Sequence, residues 1–299
     1  MLKVDNVSKY YDDFLAVDNL SFEINEGEIF GLLGVNGAGK TSTFRMIMGL
    51  LEKSSGSITL DEKNIDYKVS DKIGFLTEER SLLLSKTVLE QAIYYGTLKG
   101  MSIENIISEL DKYLKEFKIE EYKNKKIKEL SKGNQQKVQF IMSILHHPKL
   151  LILDEPFSGL DPINVEIFKK IILQLKEEKT IIIFSSHMME HVEYFCDSLI
   201  ILVKGKTVIK GRLIDIKNDF RKKNIKVVGD INEESISKID GVISIDKSSN
   251  EYTIKIESDD YIDKVFKEVS KCKNITKFVV EEPSLNEIFI SKVGEAYEK

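Results

Sequence analysis

This 299-residue chain is short of several things, and each scarcity narrows what it can be. Its two cysteines, Cys196 and Cys272, lie far apart with no Cys or His beside them at metal-ligand spacing; a zinc site is not expected, and a reducing compartment fits. No stretch approaches ~18 uninterrupted apolar residues, and the opening MLKVDNVSKYYDDF carries no apolar segment of signal-peptide type. The expectation is a chain that does not cross a membrane unaided and that needs a spanning partner if it works at one. Charge of one sign hardly accumulates: the net charge is -5, with no single-sign tail, so composition gives no reason to expect nucleic-acid binding. Lys-rich patches such as Tyr122 to Lys128 read as solvated faces. Internal repeats and low-complexity segments are absent as well. What remains is 42% hydrophobic and 31% charged, at a length that suits one large domain or a large and a small one.

The apolar pattern changes along the chain. LSFEI alternates like a half-buried antiparallel strand, whereas IFGLLG is continuously apolar and reads as a strand buried on both faces. Helical spacing follows in KTSTFRMIMGLL and returns in TVLEQAIYYGTLKGM and IENIISELDKYLKEFKI, which form a helical block. The strands KLLILD and TIIIFSS flank the helix pattern PINVEIFKKIILQLKEEK, an order that implies a parallel sheet with crossovers. SLIILVKGKTVIKG reads as a hairpin turning at Gly205. After the polar stretch at Ile216 to Asn224 the pattern becomes strand, helix, strand, strand, helix, strand, the ferredoxin-like plan. The final PSLNEIFISKVGEAYEK offers Ser284 and Glu287 as a helix capping box. The expected boundaries are a first domain over 1–217, a linker over 218–224 and a small domain over 225–299.

GVNGAGKT, Gly34 to Thr41, satisfies the phosphate-loop pattern G-x-x-x-x-G-K-[ST], with an apolar strand before it and a helix after it. Gly34, Gly37 and Gly39 permit positive φ, so backbone N–H groups and the helix N-terminus can hold nucleotide phosphates. Lys40 can reach the β and γ phosphates, and Thr41 offers a hydroxyl to Mg²⁺. KLLILDEP then carries Asp154 to the carboxyl edge of the sheet, with Glu155 beside it. Asp154 suits a Mg²⁺ coordination sphere and Glu155 suits polarising an attacking water. Two carboxylates near a triphosphate repel it unless a metal intervenes, so Mg²⁺ makes the pairing sensible.

With these residues in place, the stretch from Met1 to about Lys217 resembles the nucleotide-binding subunit of ABC transporters. LSKGNQQ, Leu130 to Gln136, is similar to the family's signature; SGLDP, Ser158 to Pro162, to its D-loop; and SSH places His187 as its switch histidine. Tyr11 falls where the family stacks an aromatic ring on adenine. The resemblance implies a P-loop NTPase fold of ABC type, with a mixed-sheet core, an antiparallel β subdomain and a helical subdomain over about 79–135, followed by the small α+β domain. It implies an ATP site at Tyr11, Asn36, Gly37, Ala38, Gly39, Lys40, Thr41 and Ser42, with catalytic roles for Lys40, Glu155 and His187. It implies Mg²⁺ at Thr41, Asp154 and Glu78. It further implies a head-to-tail dimer in which Ser131 and Gly133 meet the partner's nucleotide, and it adds Asp161 of the D-loop to the nucleotide-binding residues.

Two motifs depart from the family pattern, at three positions. Lys132 replaces the first signature glycine and Asn134 the usual Gln, which brings a positive charge close to the expected phosphate position. Glu78 stands in IGFLTEER where the family has a Gln; a carboxylate can still ligate Mg²⁺ directly or through water. These departures and the EEPSLNEIFI tail resemble the ATPases paired with ABC-2-type export permeases, of sodium-efflux and antibiotic-export type. The implied protein is a Mg²⁺-dependent ATPase on the cytoplasmic side of the membrane, driving such a permease as a self-dimer, with Glu78, Glu79 and Arg80 at the edge of the permease groove. The alternatives are a soluble ABC protein of translation or DNA maintenance, a non-hydrolysing ATP-binding module, and an importer subunit. One phosphate loop and no sustained heptads speak against the first, and Glu155 against the second. The C-terminal domain has no catalytic constellation, and its expected role is structural.

Overall fold

A computed structural model describes residues 1–65, 67–79, 81–220 and 222–298. It divides into two compact units, Met1–Gly211 and Arg212–Lys299.

The first unit opens with β1 (Leu2–Tyr11) and β2 (Phe14–Ile24), an antiparallel hairpin whose alternate residues Leu2, Val4, Leu20, Phe22 and Ile24 are buried. β3 (Ile29–Gly34) is buried at every position, as expected of a strand covered on both faces, and it delivers the chain to α1 (Lys40–Ile47). Next come β4 (Ser55–Leu60), β5 (Lys63–Asn64) and β6 (Ile73–Leu76). β1, β2, β4 and β5 form a four-stranded sheet in the order β2-β1-β4-β5.

The helical block follows as α2 (Val88–Leu98), α3 (Ile103–Glu116) and α4 (Lys132–Ile144). Thr87 caps α2 with a full capping box through Glu90, and Ser102 caps α3. β7 (Leu150–Asp154), α5 (Pro162–Glu177), β8 (Ile181–Ser185), α6 (Met189–Phe195), β9 (Ser198–Val203) and β10 (Lys206–Arg212) complete the unit. The second sheet has the order β10-β9-β3-β8-β7-β6, with parallel pairing from β9 to β6. Residues of both sheets and of α1 share one core, in which the rings of Phe22 and Phe30 stack with centroids 4.7 Å apart. Placing β3, β7 and β8 side by side brings the ends of three strands to one edge, where the phosphate loop, Asp154 and Ser185 emerge.

The second unit contains α7 (Leu213–Asp219), β11 (Lys223–Asp230), α8 (Glu233–Ser237), β12 (Val242–Ser248), β13 (Glu251–Ile256), α9 (Ile262–Val269), β14 (Lys273–Glu281) and α10 (Leu285–Glu298). Its antiparallel sheet runs β12-β13-β11-β14 over a core that includes Ile225, Val227, Ile254, Ile256 and Val265. Ser284 and Glu287 form the capping box at the start of α10, with Glu287 N–H donating to the Ser284 hydroxyl at 3.3 Å and Ser284 N–H to the Glu287 carboxylate at 3.0 Å.

The units divide six residues before the position expected from the sequence, after Gly211 rather than Lys217. The 218–224 segment, expected as a linker, contains the last residues of α7 and the first of β11. Ile216 anchors α7 by burial, while Lys223 and Asn224 join the sheet by pairing with Ile256 and Lys255. Their polar side chains disguised a strand whose start is held by backbone pairing.

Candidate functional site

A cleft of about 470 Å³ lies where the phosphate loop meets the ends of β7 and β8. Asn36, Gly37, Ala38, Gly39, Lys40, Thr41 and Ser42 line one side of it. Gly39 has φ +103°, and a Cβ there would stand 2.6 Å from the Ala16 carbonyl oxygen, so only glycine lets the loop enter α1 at this angle. Gly37 has φ +78° with nothing within 4 Å of a Cβ, so the backbone conformation alone requires it. The Lys40 ammonium donates to the carbonyls of Gly34 at 2.6 Å and Val35 at 3.3 Å, bracing the loop from within. Burial pushes its pKa down, against the pull of Asp154, Glu155 and Glu78.

Opposite the loop stand Glu78, Asp154, Glu155 and His187. Asp154 ends β7 in register with Ser185 of β8, and Glu155 follows at φ 49°, its N–H donating to the Ser185 carbonyl at 3.0 Å. That left-handed turn swings the Glu155 side chain back toward the cleft. Its Oε2 accepts from the Ser186 hydroxyl at 3.4 Å, whereas Oε1 is buried without a hydrogen-bond partner, with His187 Nε2 3.6 Å away. Burial raises the pKa of both acids; at Asp154 a hydrogen bond to Ser185 and the charge of Lys40 oppose the rise while Glu78 adds to it, and at Glu155 the neighbouring His187 opposes it while Asp154 adds to it.

The third wall is aromatic. Tyr11 and Phe14 are directly opposed across the end of the β1–β2 hairpin, on either side of the Asp12-Asp13 turn, and both line the cleft with Ala16. The Tyr11 hydroxyl lies 3.2 Å from the Ser42 hydroxyl, tying the hairpin tip to α1. Phe14, 65% exposed, was not singled out from the sequence. Its signal was the two-residue turn, which makes it the cross-strand neighbour of Tyr11.

Ser131, Gly133 and Asp161 do not line this cleft. Ser131 caps α4, its hydroxyl accepting from Asn134 N–H at 3.3 Å, and Lys132 follows in a first turn that holds no acid. Gly133 faces open space. Asp161 caps α5, accepting from the N–H of Asn164 at 2.9 Å, a bond that holds its carboxyl below the usual range. Arg80 lies outside the described residues.

The donors fit a magnesium nucleotide. Thr41, Glu78 and Asp154 offer oxygen alone, the donor type that hard divalent cations take. Among the described residues no cluster of three His, Cys, Asp or Glu could hold a metal ion. The buried, unpartnered Glu155 Oε1 marks unsatisfied bonding capacity in the same place.

A set of polar residues on α4 was also missed. Gln135 donates to the carbonyls of Ile127 and Leu130, each at 3.1 Å; Gln136 to that of Pro156 at 3.3 Å; and Gln139 to those of Thr77 and Glu79, each at 3.1 Å. One helix thereby fixes three loops, two of which adjoin Glu155 and Glu78. Glutamines on an otherwise buried helix were the available signal.

The profile of the ABC transporter family matches residues 17–158, and that of the ATP-binding protein DrrA1-3-like C-terminal domain matches 211–293. YhaQ of Bacillus subtilis, an uncharacterized ABC transporter ATP-binding protein, is 47% identical over 298 residues, covering 100% of both chains. The linearmycin resistance ATP-binding protein LnrL of Bacillus subtilis is 30% identical over 306 residues, covering 98% of each. Among solved structures, the dimeric ABC transporter cassette MJ0796 superposes with a TM-score of 0.65 at 26% identity, covering 71% of this chain and 99% of that one.

Proposed function

The chain belongs to the ABC transporter ATP-binding proteins, and on that premise we propose that it is the Mg²⁺-dependent ATPase subunit of an exporter. The observation that carries this reading is one cleft that joins the phosphate loop to the adjacent acids Asp154 and Glu155 at the ends of neighbouring strands.

The triphosphate is held by the N–H groups of residues 36–42 and by Lys40, whose ammonium exchanges its loop carbonyls for phosphate oxygens. The base stacks on Tyr11, with Phe14 as a second aromatic wall. Thr41, Asp154 and Glu78 would hold Mg²⁺, which when bound supplies neutralisation of the β and γ oxygens. Glu155 Oε1, which makes no hydrogen bond, takes a proton from the attacking water as the water oxygen bonds the γ-phosphorus and the bond to the β–γ bridging oxygen breaks, releasing ADP and phosphate. His187, exposed at the cleft and close to Glu155, contacts the γ-phosphate.

Ser131, Gly133 and Asp161 lie away from their own chain's cleft, which supports a head-to-tail dimer in which they complete the partner's site; the MJ0796 cassette is itself described as dimeric. No helix among the described residues is long and apolar enough to cross a membrane. In this reading the subunit drives a permease of ABC-2 type and sits peripherally on the cytoplasmic face. An apolar cavity beside the helical block, with Leu50, Phe75, Leu82 and Tyr95 in its wall, supports docking of the permease there. The resistance role in the name of the relative LnrL favours outward transport here. The domain boundary is assigned to 211/212, and the C-terminal unit to supporting the dimer.

The test is phosphate release by wild type and Glu155→Gln, with sedimentation of each in ATP. Turnover should fall by about 10²–10⁴ in the variant, the usual contribution of a general base, and the variant should accumulate as an ATP-bound dimer. Equal turnover in both proteins would remove Glu155 from the mechanism.

A further inference from the structure

Away from the nucleotide cleft, an apolar cavity of about 270 Å³ lies beside the helical block, and Thr77 and Gln139 belong to its wall. Residues 77–79, with Leu83 farther along this segment, therefore lie between two places, since Thr77 belongs to the cavity wall and Glu78 lines the nucleotide cleft.

Two buried glutamines hold this segment. Gln139 on α4 is 3% exposed, and its amide nitrogen lies 3.1 Å from the Thr77 carbonyl, 3.1 Å from the Glu79 carbonyl and 2.9 Å from the Thr77 hydroxyl. Carbonyl oxygens only accept, so this end of the amide is the donor. The Thr77 hydroxyl in turn donates to the Glu79 carbonyl. The ring of bonds closes around Glu78 and pins the peptide units on both sides of it. Gln91 of α2, fully buried, takes the far end by accepting from Leu83 N–H at 3.0 Å.

The arrangement is not explained by stability alone. A primary amide inside a helix interface costs desolvation that an aliphatic side chain would avoid, and Oε1 of Gln139 has no partner. What the amide adds is a fixed location for the residue between its two carbonyl partners.

We propose that Gln139 is a positioning residue for Glu78: its amide sets where the Glu78 carboxylate stands toward the metal of the nucleotide, and joins that position to the wall of the apolar groove. The inference rests on the assignment of Glu78 as a Mg²⁺ ligand.

Gln139→Leu keeps the bulk and removes the donor; Thr77→Val breaks the same ring from the loop side and serves if the helix variant does not fold. In the full chain, backbone hydrogen exchange at residues 77–79 should quicken about 10-fold in either variant, because the loop loses its anchor. Binding of a fluorescent ATP analogue should need about 10-fold more Mg²⁺, in line with the loss of an outer partner of a metal ligand, while affinity in EDTA stays at the wild-type value. In a Glu78→Ala background, Gln139→Leu should weaken Mg²⁺-dependent binding no further, since both changes act through one carboxylate. Unchanged exchange, an equal loss of affinity in EDTA, or an additive effect with Glu78→Ala would overturn the proposal. If exchange quickens but Glu78→Ala leaves the Mg²⁺ requirement as in wild type, the ligand assignment of Glu78 is what fails, and the proposal falls with it.

Discussion

In the C-terminal unit, Lys226 stands 2.7 Å from Glu281, and Lys277 2.6 Å from Glu251. Those contacts favour the charged forms: hydrogen bonding to Glu281 holds Lys226 above the usual lysine range, and that to Lys277 holds Glu251 below the usual carboxylate range. In the phosphate cleft the direction reverses. Burial pushes Lys40 down and pushes Asp154 and Glu155 up, and the opposite charges present do not offset it. Two regions of one chain thus use the same residue types to opposite ends. Surface pairs satisfy themselves and add little, while the cleft keeps charges in an environment that suits them only once a charged ligand arrives. The first unit also has satisfied pairs, such as Lys149 with Glu26 and Asp61, so the reversal belongs to the cleft and not to the unit.

The comparison breaks first at Lys40. Lys40→Ala should lower ATP affinity by about 100-fold, as expected for losing a charge-assisted contact to phosphate, with no net loss of apo thermal stability, because relief of a buried charge offsets the two loop hydrogen bonds removed; calorimetric titration and melting check the two halves. A loss of stability instead would put Lys40 in the class of satisfied structural lysines.

His146 sharpens the comparison, because it is displaced without lining the nucleotide cleft. Its Nε2 donates to the Ile73 carbonyl at 3.2 Å, and burial, with the charge of Lys99 adding, lowers its pKa to about 4. The folded state then resists protonation that the unfolded chain accepts below about 6.5, so stability is full above that pH and declines as pH falls toward 4. After allowance for partial exposure the decline is about 2 kcal/mol. Denaturant unfolding at pH 7 and pH 5 should show a smaller acid loss in His146→Gln than in wild type.

The smallest effect is expected in the C-terminal unit. Lys226→Ala should shift Tm by about 1–2 °C or less, because an exposed pair is screened and entropically costly to hold.

Much of the site was legible because its residues are close in sequence and their chemistry is local. Gly34 to Thr41 encodes a backbone conformation that brings the loop into the cleft wall, and the aliphatic run before Asp154 carries that acid to the edge of the sheet. Continuous burial of IFGLLG and the βαββαβ order of the second unit followed from periodicity in the same way. Phe14 was missed because its place depends on a cross-strand pair, and Gln139 because its three bonds reach across about sixty residues to a loop. The start of β11 was hidden for another reason: Lys223 and Asn224 are placed by backbone pairing, which polarity does not report. Ser131, Gly133 and Asp161 were legible as family motifs, but one chain does not bring them to its own cleft.

The account turns on whether the cleft holds charge against its own preference, and the most direct measurement is the melting temperature of nucleotide-free, metal-free wild type and Glu155→Gln at neutral pH. Glu155 has its pKa raised by burial, so its ionised form favours the unfolded chain at neutral pH, and removing that charge should raise the melting temperature. A Glu155→Gln protein that melts below wild type would mean that favourable contacts hold the carboxylate, contradicting the reading of the cleft as a site strained toward its ligand.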